Sequence, residues 1–475
     1  MIIDNFQDKI YYSSPVWLQN LLVSAYGVSL RHKRYGKGTR EQLEFLLSNE
    51  SKNREELYEI QQLLFVKTAK AALSHVPFYR SWAAEHHIHP GDIRGLEALS
   101  LFPILDKETV RENPLNFYDE RYLSSKSAFF LSTSGTTGTP LKILTDSLFR
   151  TKHYAFWSRI RAWFGLSPIP RRATLFGRII MLPETDAPPF WRYDLVQKNL
   201  LLSSYHLSEN NLGFYVKKLV DYNPDELIGY PSSLYHLALY IVARNLGGMI
   251  HPKVVFTTAE NLLPYQKSVI FDAFRCPVIN QYGCTEMAMF ASECEHGRLH
   301  LHPEHGFVEV LSPTGKTHNG GGETVTGEMI CTGFVNTAMP LLRYRLGDEV
   351  SLNRSMKCPC GRMFPVIEEV EGRCDDIIKT PDGRPIGRLD PVFKGFAGIK
   401  ECQIVQESLL KVTVNIVCDV MFSTKVEEEL LNEFRKRLGK LMEIKIIKMD
   451  SIPRTSGGKF RPVISHLKNN NGVDQ

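Results

Sequence analysis

Between residues 173 and 283, short apolar runs alternate with helical patterns. The runs are residues 173–181, Leu227-Ile228-Gly229-Tyr230-Pro231, Val254-Val255-Phe256-Thr257-Thr258 and Val278-Ile279-Asn280-Gln281-Tyr282-Gly283. A helical pattern follows the second run at 234–244, and another follows the third after Ala259-Glu260. Strands spaced by helices predict a parallel sheet covered on both faces. Ligands of such sheets gather beyond the carboxyl ends of the strands. Tyr230, Ala259, Glu260 and residues 282–286 fall at those ends, so they are expected to ring one crevice. At 475 residues the chain exceeds a single ordinary core, and two to four domains or subdomains are expected.

The flanking patterns fill in the architecture. Leu43, Leu46, Leu47, Leu57, Ile60, Leu63 and Leu64 recur at helix spacing within 40–100. The chain then extends through Phe102-Pro103-Ile104-Leu105. An aromatic-rich helix is expected over 146–164, stopped by Gly165, with core packing preferred to a cofactor box. Short strands with Gly-rich turns dominate 305–350. Beyond Gly372 the pattern turns βαβ-like: strands at Val405 and 412–417, a helix at 425–438 and a strand at 444–447. The expected class is α/β. A large amino-terminal domain, 1–374, holds mainly parallel sheets flanked by helices plus a β-rich subdomain at about 305–372. A small mobile α+β domain, 375–475, carries a basic loop.

One stretch, LSTSGTTGTPLK at 131–142, concentrates hydroxyls and glycines between two apolar runs. Glycines let backbone N–H groups converge and the hydroxyls add donors, a nest suited to a triphosphate. A hairpin loop is the plainer reading of such residues. A Walker P-loop is excluded, because Thr139-Pro140 follows Gly138 where Lys-Ser/Thr is required.

Apolar content of 43%, charged content of 23% and net charge +5 describe a globular chain without a nucleic-acid footprint. Nine cysteines, odd in number and irregularly spaced, disfavour a disulfide framework and favour a reducing, cytoplasmic setting. The amino terminus lacks the features of a signal peptide. Residues 16–30 carry Trp17, Leu18, Leu21, Leu22, Ala25, Tyr26 and Val28 ahead of the basic run 31–34, too interrupted to span a bilayer. This stretch is expected to pack on the protein body, the alternative being peripheral association with the inner face of a membrane.

Five motifs then occur in order: STSGTTGTP, YGCTE at 282–286, YRLGD at 344–348, EGRCDD at 371–376 and PRTSGGK at 453–459. The set resembles the adenylate-forming (acyl-AMP-forming) ligases. SECEHGRLH at 292–300, PLLRYRLGD and CPCGR at 358–362 resemble the phenylacetate–CoA ligase and CapK-type capsule-biosynthesis branch. The resemblance implies ATP-dependent activation of a carboxylic acid. Ser132, Thr133, Ser134, Gly135, Thr136, Thr137 and Gly138 would hold the β- and γ-phosphates. Tyr282 and Gly283 would meet adenine, with Ala259 and Glu260 against the base edge. Thr285 would contact the α-phosphate, Glu286 would help bind Mg²⁺, and Asp348 would accept from the ribose hydroxyls. Arg373 would reach the ribose or phosphates, and Lys459 would bridge the carboxylate and the α-phosphate. Asp375 would be the hinge. Tyr230, Ser232, Ser233, Thr257 and Thr258 would lie near an acyl pocket for a small or partly polar acid.

Cys358 and Cys360 with Cys294 and a histidine make a Cys₃His set, a closed zinc donor set. His296, His302 and His305 compete with His300, and the resemblance selects His300 for a structural zinc. Cys284 has no evident base partner, so no thiol mechanism is expected. Residues 377–395 depart from the CoA ligases of this branch. The acceptor therefore stays open among CoA, a carrier-protein thiol and an amino sugar, with cell-surface polysaccharide biosynthesis as the expected setting. Two other functions stay in view: a nucleotidyltransferase making a stable AMP ester, and an inactive nucleotide-binding scaffold.

Overall fold

The computed structural model describes residues 10–132, 141–178, 180–182, 185–312, 314–318, 324–373, 378–381, 385–386, 396, 398–439, 441–454 and 461–467; at 132, 371–373, 385–386 and 436–437 it describes the backbone alone. The chain divides into two compact units. One comprises Met1–Leu346 and Ser351–Glu368, the other Gly347–Val350 and Glu369–Gln475.

The large unit begins with helices α1 (Val16–Tyr35), α2 (Lys37–Ser48), α3 (Arg54–His75) and α4 (Pro77–Glu85). Helix α1 inverts the expected facing. Its polar residues dock on the body: Asn20 Oδ1 accepts from the Tyr193 amide at 2.9 Å, and Ser24 Oγ from the Leu195 amide at 3.0 Å. Gly27 lets Asp194 approach, since a Cβ there would meet its carboxylate at 2.4 Å. Trp17, Leu21 and Val28 stay exposed, at 67%, 57% and 58%.

An extended segment then leads into α5 (Lys107–Glu112). Strands β1 (Phe129–Ser132) and β2 (Lys142–Thr145) pair antiparallel, with Ser132 opposite Lys142. Helix α6 (Ser147–Trp163) starts where Asp146 Oδ1 accepts from the Phe149 amide at 2.8 Å, a side-chain N-cap.

The main sheet follows: β3 (Arg172–Phe176), β4 (Trp191–Asp194), β5 (Asn199–Ser203), then α7 (Glu209–Tyr222), β6 (Glu226–Gly229), α8 (Pro231–Ala243), β7 (Val254–Thr258), α9 (Pro264–Phe274) and β8 (Val278–Gly283). Strands β9 (Phe290–Glu293), β10 (Leu299–Leu301), β11 (Gly306–Leu311), β12 (Thr317–His318), β13 (Val325–Gly333), β14 (Tyr344–Asn353) and β15 (Val366–Arg373) continue it. Among the described residues the order is β12-β11-β13-β14-β15-β10-β9-β8-β7-β6-β3-β5-β4. Pairing is parallel from β5 to β8 and antiparallel onto β4, β9, β10 and β15. The β-rich stretch thus extends the parallel strands within one sheet.

Period-two alternation assigns the faces. Leu227 and Val255 pack with α7, α8 and α9, and Ile228 and Phe256 with Phe156, Trp157 and Ile160 of α6. The α6 aromatics are core residues, each such side chain contributing roughly 1.5–3 kcal/mol on burial.

In the small unit, β18 (Ile399–Ser408) lies between β19 (Lys411–Cys418) and β21 (Val463–Ser465), and β20 (Glu443–Lys448) pairs parallel with β19. Short β16 (Ile378–Lys379) and β17 (Pro385–Ile386) form a separate pair. The crossover helix α10 (Thr424–Leu438) buries Leu430 and Phe434 against Ile404, Val412 and Val414, giving the βαβ unit expected from the sequence.

Candidate active site and metal centre

Parallel register aligns the carboxyl ends of four strands. Leu175 pairs with Gly229, Gly229 with Thr257, and Thr258 with Gln281. Tyr230, Ala259 and the turn 284–286 follow directly, so the crevice is built by strand order. The Tyr230 ring meets Phe176 edge-on at 5.3 Å between centroids. Burial, then the neighbouring Glu260 carboxylate, raises its phenol pKa. Ala259 holds φ +69°, a strained backbone at the crevice edge. The Glu260 carboxylate accepts from the Ser232 amide at 3.0 Å and the Ser232 hydroxyl at 3.1 Å, capping α8. Thr257 is fully buried and its hydroxyl donates to the Ile279 carbonyl at 3.3 Å. The Thr258 hydroxyl bonds to Gln281. Both threonine hydroxyls are engaged inside the sheet, while Tyr230 stands at its edge. Tyr282 and Gly283 close β8, and Thr285 lies half-buried in the following turn.

Glu286 is 6% exposed. Its Oε1 accepts from the Tyr344 hydroxyl at 3.1 Å and pairs with Lys107 Nζ at 3.2 Å. Burial, then Glu286 itself, raises the Tyr344 pKa far above the phenol range, so the hydroxyl stays a donor. Lys107 is delivered by main-chain pairing. The Leu105 amide donates to the Arg343 carbonyl and the Arg345 amide to the Leu105 carbonyl, each at 2.9 Å. Arg343 anchors this junction through Glu309, at 2.9 and 3.2 Å, and the Phe102 carbonyl, at 2.9 Å. Arg345 reaches Asp106 at 2.9 Å. The two arginines of YRLGD and its neighbour therefore hold the segment carrying Lys107 beside Glu286. Among the described residues both partners of Glu286 lie on Oε1, and a buried carboxylate of this kind suits Mg²⁺, which keeps waters and takes its remaining ligands from phosphates.

Asp348 is buried in β14, after Gly347 at φ +82°, a conformation only glycine takes without strain. Thr133, Ser134, Gly135, Thr136, Thr137, Gly138, Asp375 and Lys459 lie outside the described residues. Ser132 and Arg373 are described by backbone alone, closing β1 and β15.

The cysteine–histidine set converges. Ligand atoms of Cys294, His300, Cys358 and Cys360 all lie within 4.8 Å of one another. Cys294 Sγ is 3.7 Å from Cys358 Sγ, and Cys360 Sγ is 3.5 Å from His300 Nε2. Zn–S near 2.3 Å and Zn–N near 2.0–2.1 Å imply tetrahedral edges of about 3.8 Å (S···S) and about 3.5 Å (S···N). The donors fit zinc. His300 Nδ1 donates to the Phe364 carbonyl at 3.2 Å, which leaves Nε2 as the ligating nitrogen. Burial pushes the Cys294 thiol up to about 12 and His300 down to about 4, and it raises the Cys360 thiol as well. Of the rival histidines, His296 is not in the converging set and the other two are engaged elsewhere. His302 bonds Ser292 at 3.0 Å and Arg159 at 3.1 Å, and His305 stacks on Phe290.

Comparison with known proteins agrees with this architecture. The solved structure of a 2-hydroxyisobutyryl-CoA ligase in the postadenylation state, in complex with R3-HIB-AMP, matches 88% of this chain and 91% of its own, with TM-score 0.69 and 20% identity. The phenylacetate-coenzyme A ligase of Thermus thermophilus is 24% identical over 87% of this chain and 98% of its own length. Protein CapK of Staphylococcus aureus is 27% identical over 97% of this chain and 99% of its own. A family profile described as the CapK C-terminal domain matches residues 378–466. The chain is thus similar over nearly its full length to CapK and to a phenylacetate–CoA ligase, and it shares the fold of a 2-hydroxyisobutyryl-CoA ligase.

Sequence reasoning did not anticipate that Lys107 and Tyr344 would both meet Glu286. Tyr344 stood in view within YRLGD. Lys107 carried no motif signal, and its only mark was an extended segment ending in a lysine.

Proposed function

We propose that this ligase joins a carboxylic acid to the α-phosphorus of ATP, releasing pyrophosphate, and then passes the acyl group to a thiol or amine with release of AMP. The observation that carries the reading is Glu286, a buried carboxylate between Lys107 and Tyr344 where the parallel strands end. Attack of one anion on another needs cations fixed in place before the transition state. Glu286 supplies a Mg²⁺ ligand, Lys107 a resident cation, and Lys459 the cation that bridges carboxylate and α-phosphate. Residues 132–138 cradle the leaving pyrophosphate, Asp348 and Arg373 serve the ribose side, and Asp375 is the hinge at a domain boundary of 374/375. CoA is the acceptor favoured by likeness to the CoA ligases. A role in cell-surface polysaccharide biosynthesis rests on likeness to CapK alone. Zinc at Cys294, His300, Cys358 and Cys360 has a structural role, tying β9 and β10 to the 358–360 loop.

Among the described residues no helix is long and apolar enough to cross a membrane. The outward apolar face of α1 instead suits the surface of an anionic bilayer. Trp17, Leu21 and Val28 supply buried area, and the exposed Arg31, His32 and Lys33 at its end supply charge complementarity.

Acid-dependent ATP–pyrophosphate exchange tests the central reading. A stable AMP ester as sole product would favour nucleotidyl transfer. ATP binding without exchange across a broad acid panel would favour a scaffold and defeat the ligase reading.

A further inference from the structure

The two halves of the cysteine–histidine set are built differently. Cys294 and His300 belong to one hairpin. Strands β9 and β10 pair antiparallel with Ser292 opposite His300. The turn closes where the Cys294 amide donates to the Arg298 carbonyl and the Gly297 amide to the Cys294 carbonyl, each at 2.9 Å. Main-chain bonds therefore fix that pair. Cys358 and Cys360 lie on the connection from β14 to β15, where the Gly361 amide donates to the Cys358 carbonyl at 3.0 Å. Arg54 ties the start of this connection, donating to the Ser355 and Met356 carbonyls at 2.5 and 3.2 Å. These bonds set the two thiols relative to each other. They do not set them against the hairpin, since Cys294 and Cys358 are 64 residues apart.

Arg362 spans that gap. One guanidinium nitrogen donates to Glu295, the residue after Cys294, at 2.8 Å, and its Nε donates to Glu50 at 3.3 Å. The guanidinium also lies over the Trp163 ring at 4.1 Å. Arg362 thus follows one ligand by two residues and is bonded to the neighbour of another. Glu50, just past α2, is itself held: Trp163 Nε1 donates to it at 2.6 Å, and Arg159 Nε lies 3.3 Å away. The Arg362 side chain is 11% exposed, against 20% for Glu50 and 37% for Glu295. Pairs this sheltered are screened less by salt than open surface pairs. A planar fork that meets two carboxylates and a ring face at once is confined to one placement. The Arg362–Glu295 pair closes nearly the same loop of chain that a metal on Cys294 and Cys360 would close. With those segments already together, less of the closure entropy falls on metal binding.

We propose that Arg362 is a positioning residue for the metal: its clamp on Glu295 and Glu50 holds the 358–360 loop against the β9–β10 hairpin at ligand spacing and joins both to α2 and α6. This rests on the reading of Cys294, His300, Cys358 and Cys360 as a zinc site.

The test is the zinc affinity of the full chain, stripped and reloaded, measured by competition with a chromogenic chelator at fixed pH beside the melting temperature. Arg362→Met keeps the apolar length packed on Trp163 and should weaken zinc binding about tenfold to a hundredfold. Arg362→Lys can meet one carboxylate but not both, and should recover part of the loss. Glu295→Gln, at the more exposed end of the clamp, should weaken zinc in the same direction with little effect on folding. At saturating cobalt(II), each variant should show the wild-type thiolate charge-transfer bands, because the four ligands are intact. A zinc dissociation constant in Arg362→Met within about twofold of wild type, whatever its melting temperature, overturns the inference and leaves the zinc reading standing. If that variant does not fold, Glu295→Gln decides, and unchanged zinc affinity there overturns the inference. A wild type that takes up neither zinc nor cobalt defeats the zinc reading as well.

Discussion

Lys107 Nζ lies 3.2 Å from Glu286 Oε1, and the hydroxyl of Tyr344 donates to that same oxygen at 3.1 Å. Two donors on one oxygen leave Oε2 for a metal, and they put Lys107 in competition with it. Removing the ammonium should therefore free the carboxylate for Mg²⁺ while costing charge stabilisation at the phosphates. Lys107→Met is expected to lower the exchange rate about tenfold and to reduce the Mg²⁺ concentration for half-maximal rate several-fold. A magnesium titration that superimposes on wild type would refute the competition. Tyr344→Phe keeps the ring and should lower the rate less.

Lys459 is expected to carry the largest single effect. Losing a positioned cation on the attacking carboxylate should slow adenylation on the order of a hundredfold or more. Lys459→Ala should do so with ATP affinity within a few-fold of wild type. If the acyl-adenylate is supplied ready-made, thiol transfer should be far less affected. A variant with normal exchange removes Lys459 from the chemistry.

The Cys₃His cluster should hold one zinc per chain, measured by elemental analysis. Thiolate ligation releases protons, and burial otherwise holds the Cys294 thiol up to about 12, so apparent affinity should rise with pH. Cys358→Ser or chelation should lower the melting temperature by several degrees or more, with adenylation at low temperature largely kept. Zinc-free protein that is equally stable would dismiss a structural role.

Acid should weaken the large unit through buried histidines. His153 on α6 is held down to about 4 by burial, then by Arg34 and Arg161, and its Nδ1 has no partner. The unfolded chain takes up that proton near pH 6.5 and the folded chain refuses it. The contribution is therefore complete above pH 6.5, is lost as pH falls, and levels off near pH 4. A shift of this size amounts to about 3 kcal/mol. His153→Phe should flatten denaturant midpoints across that window relative to wild type. Parallel pH profiles would show that His153 does not titrate in this way.

The exposed face of α1 gives a separate readout. Cosedimentation with vesicles rich in phosphatidylserine or phosphatidylglycerol should fall about tenfold or more in Trp17→Ser/Leu21→Ser and weaken with salt. Exchange activity in solution should stay at the wild-type level, because both side chains point away from the body. Equal binding to neutral and anionic vesicles would argue against the charge component, and absence of binding against the lipid surface itself.

The strand–helix alternation of 173–283, the aromatic core of α6 and the βαβ pattern of the small unit were legible in the chain, and the Cys₃His residues named there converge in the structure. The first three are local properties, carried by hydrophobic period and capping residues, whereas the Cys₃His set joins two sequence-distant pairs and its histidine was chosen by the resemblance. Which face of α1 would be buried was not legible, because Gln19, Asn20 and Ser24 meet partners on and just after β4, over 160 residues away. Lys107 was hidden for the same reason. Its place beside Glu286 depends on main-chain pairing of Leu105 with Arg343 and Arg345, which no periodicity reports. Sequence fixes what each segment can become on its own; long-range pairing decides which charges meet, since Coulomb terms depend on separation in space and on burial.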